Sequence, residues 1–177
     1  MLNAIKKPMH IGLFAVLGML LAWPGVAAGQ TATSIYTPRG SRVAATLQTY
    51  ELSSAEIASM NNYVATNYPR ATRLRNASRR YNCHSYAWHS QSTANSVWLN
   101  SPGDDQFWLD GSYGAVATPP GGARISYVYG DHSAIYVASS NATSYQAESK
   151  WGQLPLMRHN LNYCPYNSSQ LRFYVRR

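Results

Sequence analysis

The stretch from Ala123 to Trp151, "ARISYVYGDHSAIYVASSNATSYQAESKW", decides how this chain folds. Gly130-Asp131 and the polar segment Ser139 to Ala142 cut it into three runs rich in Ile, Val and Tyr, the composition of strands bounded by turns. The first run ends before Gly130, the second spans His132 to Ala138 and the third runs from Ser144 to about Trp151. Links this short predict an antiparallel meander. Ile125, Tyr127, Ile135 and Val137 are expected to be buried or to face a cleft.

Working outward, "NSPGDD", "LDGSYG" and "TPPGG" concentrate turn signals between Asn100 and Gly122. They predict a long surface loop anchored by Phe107 and Trp108, of the kind that shapes binding clefts. Upstream, "RYNCHSYAWHS" (Arg80 to Ser90) holds neither Gly nor Pro and predicts a helix beginning near Asn82. Ser53 and Glu56 have capping-box spacing, and Ile57, Met60, Val64 and Tyr68 follow at helical intervals until Pro69, so a helix is expected from Ser54 to Asn67. Thr31 to Tyr50, with one Pro-Arg-Gly turn, reads as a loosely packed arm or an edge strand. The C-terminal "QLRFYVRR" alternates and predicts a further edge strand. The expected fold class is α+β, with N-terminal helices packed on an antiparallel sheet.

Lys6 and Lys7 precede an apolar run that ends in small residues at Val26 to Gly29, the pattern of a secretory signal peptide. Pro24 and Gly25 interrupt the run before it reaches the roughly 20 apolar residues of a membrane span. The expected organisation is a signal peptide over 1–29, an arm over 30–50 and a catalytic domain over 51–177, secreted or periplasmic and without a stable membrane span once cleaved. Losing the two lysines reduces the formal charge from +8 to +6. That balance favours anionic surroundings. The basic residues are scattered outside "PRATRLRNASRR", so no specific nucleic-acid partner is expected.

Cys83 carries the chemistry. A thiol acts as a nucleophile through its thiolate, which a helix N-terminus and a nearby histidine both favour. The histidine of such a pair usually comes from elsewhere in the sequence. His132, opening a strand after Gly130-Asp131, suits the role of general base. Glu148 on the next strand, with Gln146 two residues before it, supplies a polar group to orient the imidazole.

In order, "NCHSYAW", "PPGGARISYV", "DHSAIYV" and "AESKW" resemble the pattern of papain-like cysteine amidohydrolases of the NlpC/P60 and CHAP kind, over roughly Tyr81 to Gly152. The resemblance implies a papain-like fold and cleavage of amide bonds, in peptidoglycan stem peptides or another amide-containing polymer, without a cofactor. It implies Cys83 as nucleophile, His132 as base and Glu148 as orienter, with the backbone N–H of Cys83 among the oxyanion donors. Asn82 stands where the NlpC/P60 pattern commonly has Asp. "HSAIYV" replaces its usual His-Val-Gly or His-Val-Ala, and "SKWGQLPLMRH" belongs to neither pattern, which makes this a divergent branch.

Alternatives stay open. Cys83 and Cys164 are the only cysteines after the signal segment, and an oxidising compartment lets such a pair close a disulfide. The chain would then be a secreted binding domain with no nucleophile. His84 and His89 read as packing or surface groups, with His84 also able to line the cleft, and His159 rivals Glu148 for the third position. No C-x-x-C or H-x-x-x-H spacing suggests a metal.

Overall fold

The computed structural model describes residues 29–138 and 146–177. The architecture is α+β with antiparallel sheets. Strands come first, so the helices expected at the N-terminal end of the fold are not there. β1 (Gln30–Tyr36) and β2 (Arg42–Gln48) form an antiparallel hairpin, closed by a Thr37–Ser41 turn in which Gly40 takes φ 88°. Ile35 and Val43 are cross-strand partners, and both enter a core with Leu99 and Trp88. That burial turns a Ser/Thr-rich stretch into regular structure, since a two-stranded hairpin alone is marginal in water. β4 (Val97–Trp98) completes this three-stranded sheet.

Helix α1 (Ser54–Asn67) begins where expected. Ser53 Oγ accepts from the backbone N–H of Glu56, and Glu56 accepts in return from that of Ser53. The second sheet has seven antiparallel strands. They are β3 (Thr72–Arg75), β5 (Tyr113–Val116), β6 (Arg124–Tyr127), β7 (His132–Val137), β8 (Gln146–Lys150), β9 (Leu156–Asn160) and β10 (Leu171–Arg176). Their spatial order is β3-β9-β8-β7-β6-β10-β5, so the meander β6-β7-β8 lies at the centre. The link Ser139 to Ala142 and the expected strand start at Ser144 fall outside the described residues. β10, expected at an edge, is interior between β6 and β5. The expected loop over 100–122 holds a 3-10 turn (Gly103–Asp105), the short helix α2 (Gln106–Leu109) and β5.

The sheet is covered on both faces. Directly paired residues of an antiparallel sheet share a face and neighbours along a strand alternate. Ala134, Tyr136 and Ala147 lie on the face covered by α1 and the 161–171 segment, where Met157 packs on Val64 and Trp151. Ser133 and Ile135 lie on the other face, against Ala87 and Trp88. Ile125, Tyr127 and Ile135 are buried as expected, whereas Val137 is only half-buried. Among the described residues no helix is long and apolar enough to cross a membrane.

Candidate functional site

The expected second helix is a single compact helical segment, residues 83–89, whose Ser85–His89 part is π-helical. Asn82 starts it. Its Oδ1 accepts from the N–H of Ser85 at 3.1 Å and of Leu99 at 3.2 Å, and its Nδ2 donates to the Leu99 carbonyl at 2.6 Å. One buried amide thus caps the turn and fastens it to the strand end after β4. Tyr86 N–H goes to the Asn82 carbonyl. The N–H groups of Cys83 and His84 are left at the open end of the turn, as the first donors of any helix are. Trp88 anchors the other end, packing on Trp108 at 5.0 Å and on Tyr113 at 5.3 Å.

Cys83 is therefore the first residue of the turn. It is buried, at 5% exposure, and borders a cavity of about 450 Å³ together with Asn82, His84, Trp98, Asn100, Ser101, Asp131, Gly152 and Tyr166. Cys83 and Cys164 are separate free thiols, so the alternative disulfide is not formed in this structure.

The ring against the sulfur is that of His84. Its Nδ1 lies 2.9 Å from Asp104 Oδ2 and 2.9 Å from Ser133 Oγ, and its Nε2 faces Asp131 Oδ1 at 3.4 Å. Burial alone would strip the ring of its proton. The electrostatic interaction with Cys83 and hydrogen bonds to Asp104, Asp131 and Cys83 outweigh burial, and the imidazole is held well above the ordinary histidine range. The hydrogen bond from His84 holds Asp131 below the usual carboxylate range. Asp131 reaches this position from a backbone with φ 43°, a left-handed conformation that Asp tolerates better than most residues.

His132 lies elsewhere. Because Ser133 faces the Cys83 turn, His132 points to the opposite face of the sheet, where it stacks on Tyr166 at 3.7 Å and meets the edge of Tyr127 at 4.9 Å. Neither ring nitrogen has a hydrogen-bond partner, so there is no hydrogen bond between His132 and Cys83. Burial, then electrostatic interaction with His159 and His84, pushes its pKa well below the usual value. The ring nonetheless borders a second hollow of about 380 Å³ that His84, Asp104, Asp105 and Asp131 also line. Glu148 is on the face of the Cys83 turn, accepting from Tyr86 Oη at 3.1 Å and pairing with Arg158. His159 bonds Ser149 Oγ through Nε2 at 2.7 Å, and burial lowers it to about 4. The structure brings together Cys83, His84, Asp104, Asp131 and Ser133. It leaves Glu148 and His159 bonded to other groups.

One further cation sits near the thiol. Lys150 is wholly buried and its Nζ donates to the carbonyls of Ser78, Gly152 and Leu154 at 2.8, 2.7 and 2.6 Å. Burial pushes it down to about 7 against the opposing attraction of Cys83 and Glu51. Among the described residues no group of three His, Cys, Asp or Glu side chains is placed to hold a metal ion.

His84 could have been found from the sequence by one signal, the acidic "GDD" turn that supplies Asp104. Ser133 and Lys150 carried none, because in their strands they read as ordinary core-strand neighbours. Comparison with models of protein families, with curated proteins and with solved structures finds no match.

Proposed function

We propose that this protein is an exported thiol hydrolase that cleaves amide bonds, with Cys83 as the nucleophile. The observation that carries the reading is a free thiol at the open end of a helical turn, bordering a cavity and adjoining an imidazole whose two nitrogens contact the carboxylates of Asp104 and Asp131. A cation beside a thiol favours the thiolate, and an imidazole oriented by a buried carboxylate is the arrangement that general acid and base chemistry needs. The turn-borne thiol against an antiparallel sheet, with the resemblance to NlpC/P60 and CHAP domains, supports a papain-like scaffold and an amide-containing polymer such as cell-wall peptide as substrate.

The steps balance with these residues alone. The Cys83 thiolate attacks the amide carbon, a C–S bond forms and the carbonyl π pair moves to oxygen, where the N–H of Cys83 is available as a donor. His84 gives its proton to the amide nitrogen as the C–N bond breaks and the amine leaves. Neutral His84 then takes a proton from water. The hydroxyl oxygen bonds the acyl carbon, the C–S bond breaks and the thiolate returns as the carboxylic acid departs.

A second reading keeps His132 as the base. Its specific support is that both His132 ring nitrogens are free of hydrogen bonds and that the ring borders a hollow shared with His84. Hydrolysis of cell-wall peptide fragments by the native chain, Cys83→Ala, His84→Gln and His132→Gln tests both. The first reading expects loss with Cys83→Ala and a fall of at least ~100-fold with His84→Gln. A comparable fall with His132→Gln alone would move the base to His132, and unchanged hydrolysis by Cys83→Ala would end the thiol mechanism.

A further inference from the structure

From Pro8 onward Lys150 is the single lysine, every other permanently basic side chain being arginine. It ends β8, is wholly buried, and gathers carbonyls from two separate stretches of chain. Gly152 and Leu154 belong to the turn between β8 and β9, closed by the Leu154 N–H on the Trp151 carbonyl at 2.9 Å. Ser78 belongs to the segment that runs through Tyr81 into the Cys83 turn. The Ser78 N–H donates to the Gln153 carbonyl at 3.0 Å, so the two stretches are joined at the backbone and again through the ammonium. Gly152 takes φ 59° there, a left-handed conformation that glycine enters without strain, and it borders the thiol cavity. One ammonium thus fastens a wall of that cavity to the chain that delivers Cys83.

A neutral donor could tie carbonyls together; a charge does more. The compact ammonium spends its three N–H groups on the three carbonyls, and among the described residues it has no ion pair. Glu51, a carboxylate whose attraction it feels, is bonded instead to Ser78 Oγ and to the backbone N–H groups of Leu52 and Arg79. A buried ammonium without a contact carboxylate is unfavourable, and charges act on one another more strongly out of water than in it. Cys83 comes ahead of Glu51 among the attractions that oppose this burial, and the Tyr81 ring also faces Nζ at 5.4 Å.

We propose that Lys150 is a positioning residue for the Cys83 thiolate, which holds the Gly152 wall against the chain entering the turn and supplies a second positive charge besides that of His84. The proposal rests on Cys83 being the attacking group. Lys150 does not border the thiol cavity, so it touches no substrate and acts through the thiol and the wall. The two cations have different tasks. His84 gives its proton to the leaving nitrogen and regains one from water, whereas Lys150, with every N–H committed to a carbonyl, stays in place throughout. It is the cation already present when the C–S bond breaks and the thiolate returns.

Reciprocity allows a test with Lys150 intact. If the ammonium favours the thiolate, the thiolate favours the ammonium by the same factor. Burial brings the Lys150 titration down to about 7, where the Cε chemical shift can be followed against pH in lysine-labelled native protein and Cys83→Ser, the resonance being assigned by its loss in Lys150→Met. The proposal expects the Lys150 midpoint to fall by at least ~0.5 pH unit in Cys83→Ser, about a threefold change in the equilibrium. The pH profile of Cys83 alkylation in Lys150→Met should move to higher pH by the same amount, an equality that a merely structural role would not produce. An unchanged Lys150 midpoint in Cys83→Ser would overturn the proposal, and so would alkylation in folded Lys150→Met that slows at every pH without its profile moving. Native Cys83 no more reactive than Cys164 would end the reading of Cys83 as nucleophile and this inference with it. Fast native Cys83 that ignores Lys150 would end this inference alone.

Discussion

Ser133 Oγ stands 2.9 Å from His84 Nδ1 and accepts the Trp88 indole N–H at the same distance. The second residue of β7, and not the first, therefore faces the turn that carries the thiol. Because side chains alternate along a strand, that one-residue difference sends His132 to the other face of the sheet and leaves His84 as the imidazole beside Cys83.

Asn82 is the first place to test the site's construction. Its amide makes three buried hydrogen bonds, two that hold the turn to Leu99 and one to Ser85 within the turn. Asn82→Ala removes a cap and leaves buried backbone groups unsatisfied, which should destabilise the fold by about 2–3 kcal/mol. Urea unfolding of the variant measures this. A loss below about 0.5 kcal/mol would show that the turn holds its place without the amide.

Lys150 tests whether the cavity wall depends on a buried ammonium. Lys150→Met keeps the apolar stem but leaves the carbonyls of Ser78, Gly152 and Leu154 without their donor. Stability should fall by at least about 2 kcal/mol, and alkylation of Cys83 should change because Gly152 borders its cavity. Unchanged unfolding and unchanged alkylation would mean the three carbonyls find water instead.

Acid should weaken the fold before the carboxylates titrate. His132 and His159 are both depressed by burial, His159 to about 4. Between about pH 6.5 and 4 the unfolded chain takes up protons that these native rings refuse, so stability falls as pH falls through that window. His84 has the opposite shift; its unfolded ring takes up a proton around pH 6.5, so it partly offsets the fall between pH 7 and 6 and adds no slope below about pH 5.5. Unfolding free energies at pH 7, 6 and 5 should drop by up to roughly 1.4 kcal/mol per pH unit for each neutral ring. His159→Gln should flatten the slope, and a pH-independent result would contradict the burial of these rings as neutral groups.

Much of this was legible in the residues. The capping box of Ser53 and Glu56 marked α1, and Gly130-Asp131 separated β6 from β7. The face of β7 was not legible, because "HSAIYV" is covered on both sides and five of its six residues are buried. A strand without polar alternation carries no sign of which side is which. β9 was hidden in "SKWGQLPLMRH", a segment that matched neither family pattern and for which no strand was expected, although Leu156 to Asn160 form one. The interior position of β10 depends on pairing with β5 and β6 far back in the chain, which no local pattern encodes.

The account stands or falls on whether His84 governs the reactivity of Cys83. The most direct measurement is the rate of iodoacetamide alkylation at Cys83 near neutral pH, read by mass spectrometry in native protein, His84→Gln and His132→Gln. Cys164, whose thiol burial pushes up, serves as the internal reference. The account predicts that Cys83 in native protein reacts much faster than Cys164, that His84→Gln slows it at least ~10-fold, and that His132→Gln changes it less than about twofold. Equal Cys83 rates in native protein and His84→Gln, with Cys164 unchanged in both, would contradict the pairing of Cys83 with His84.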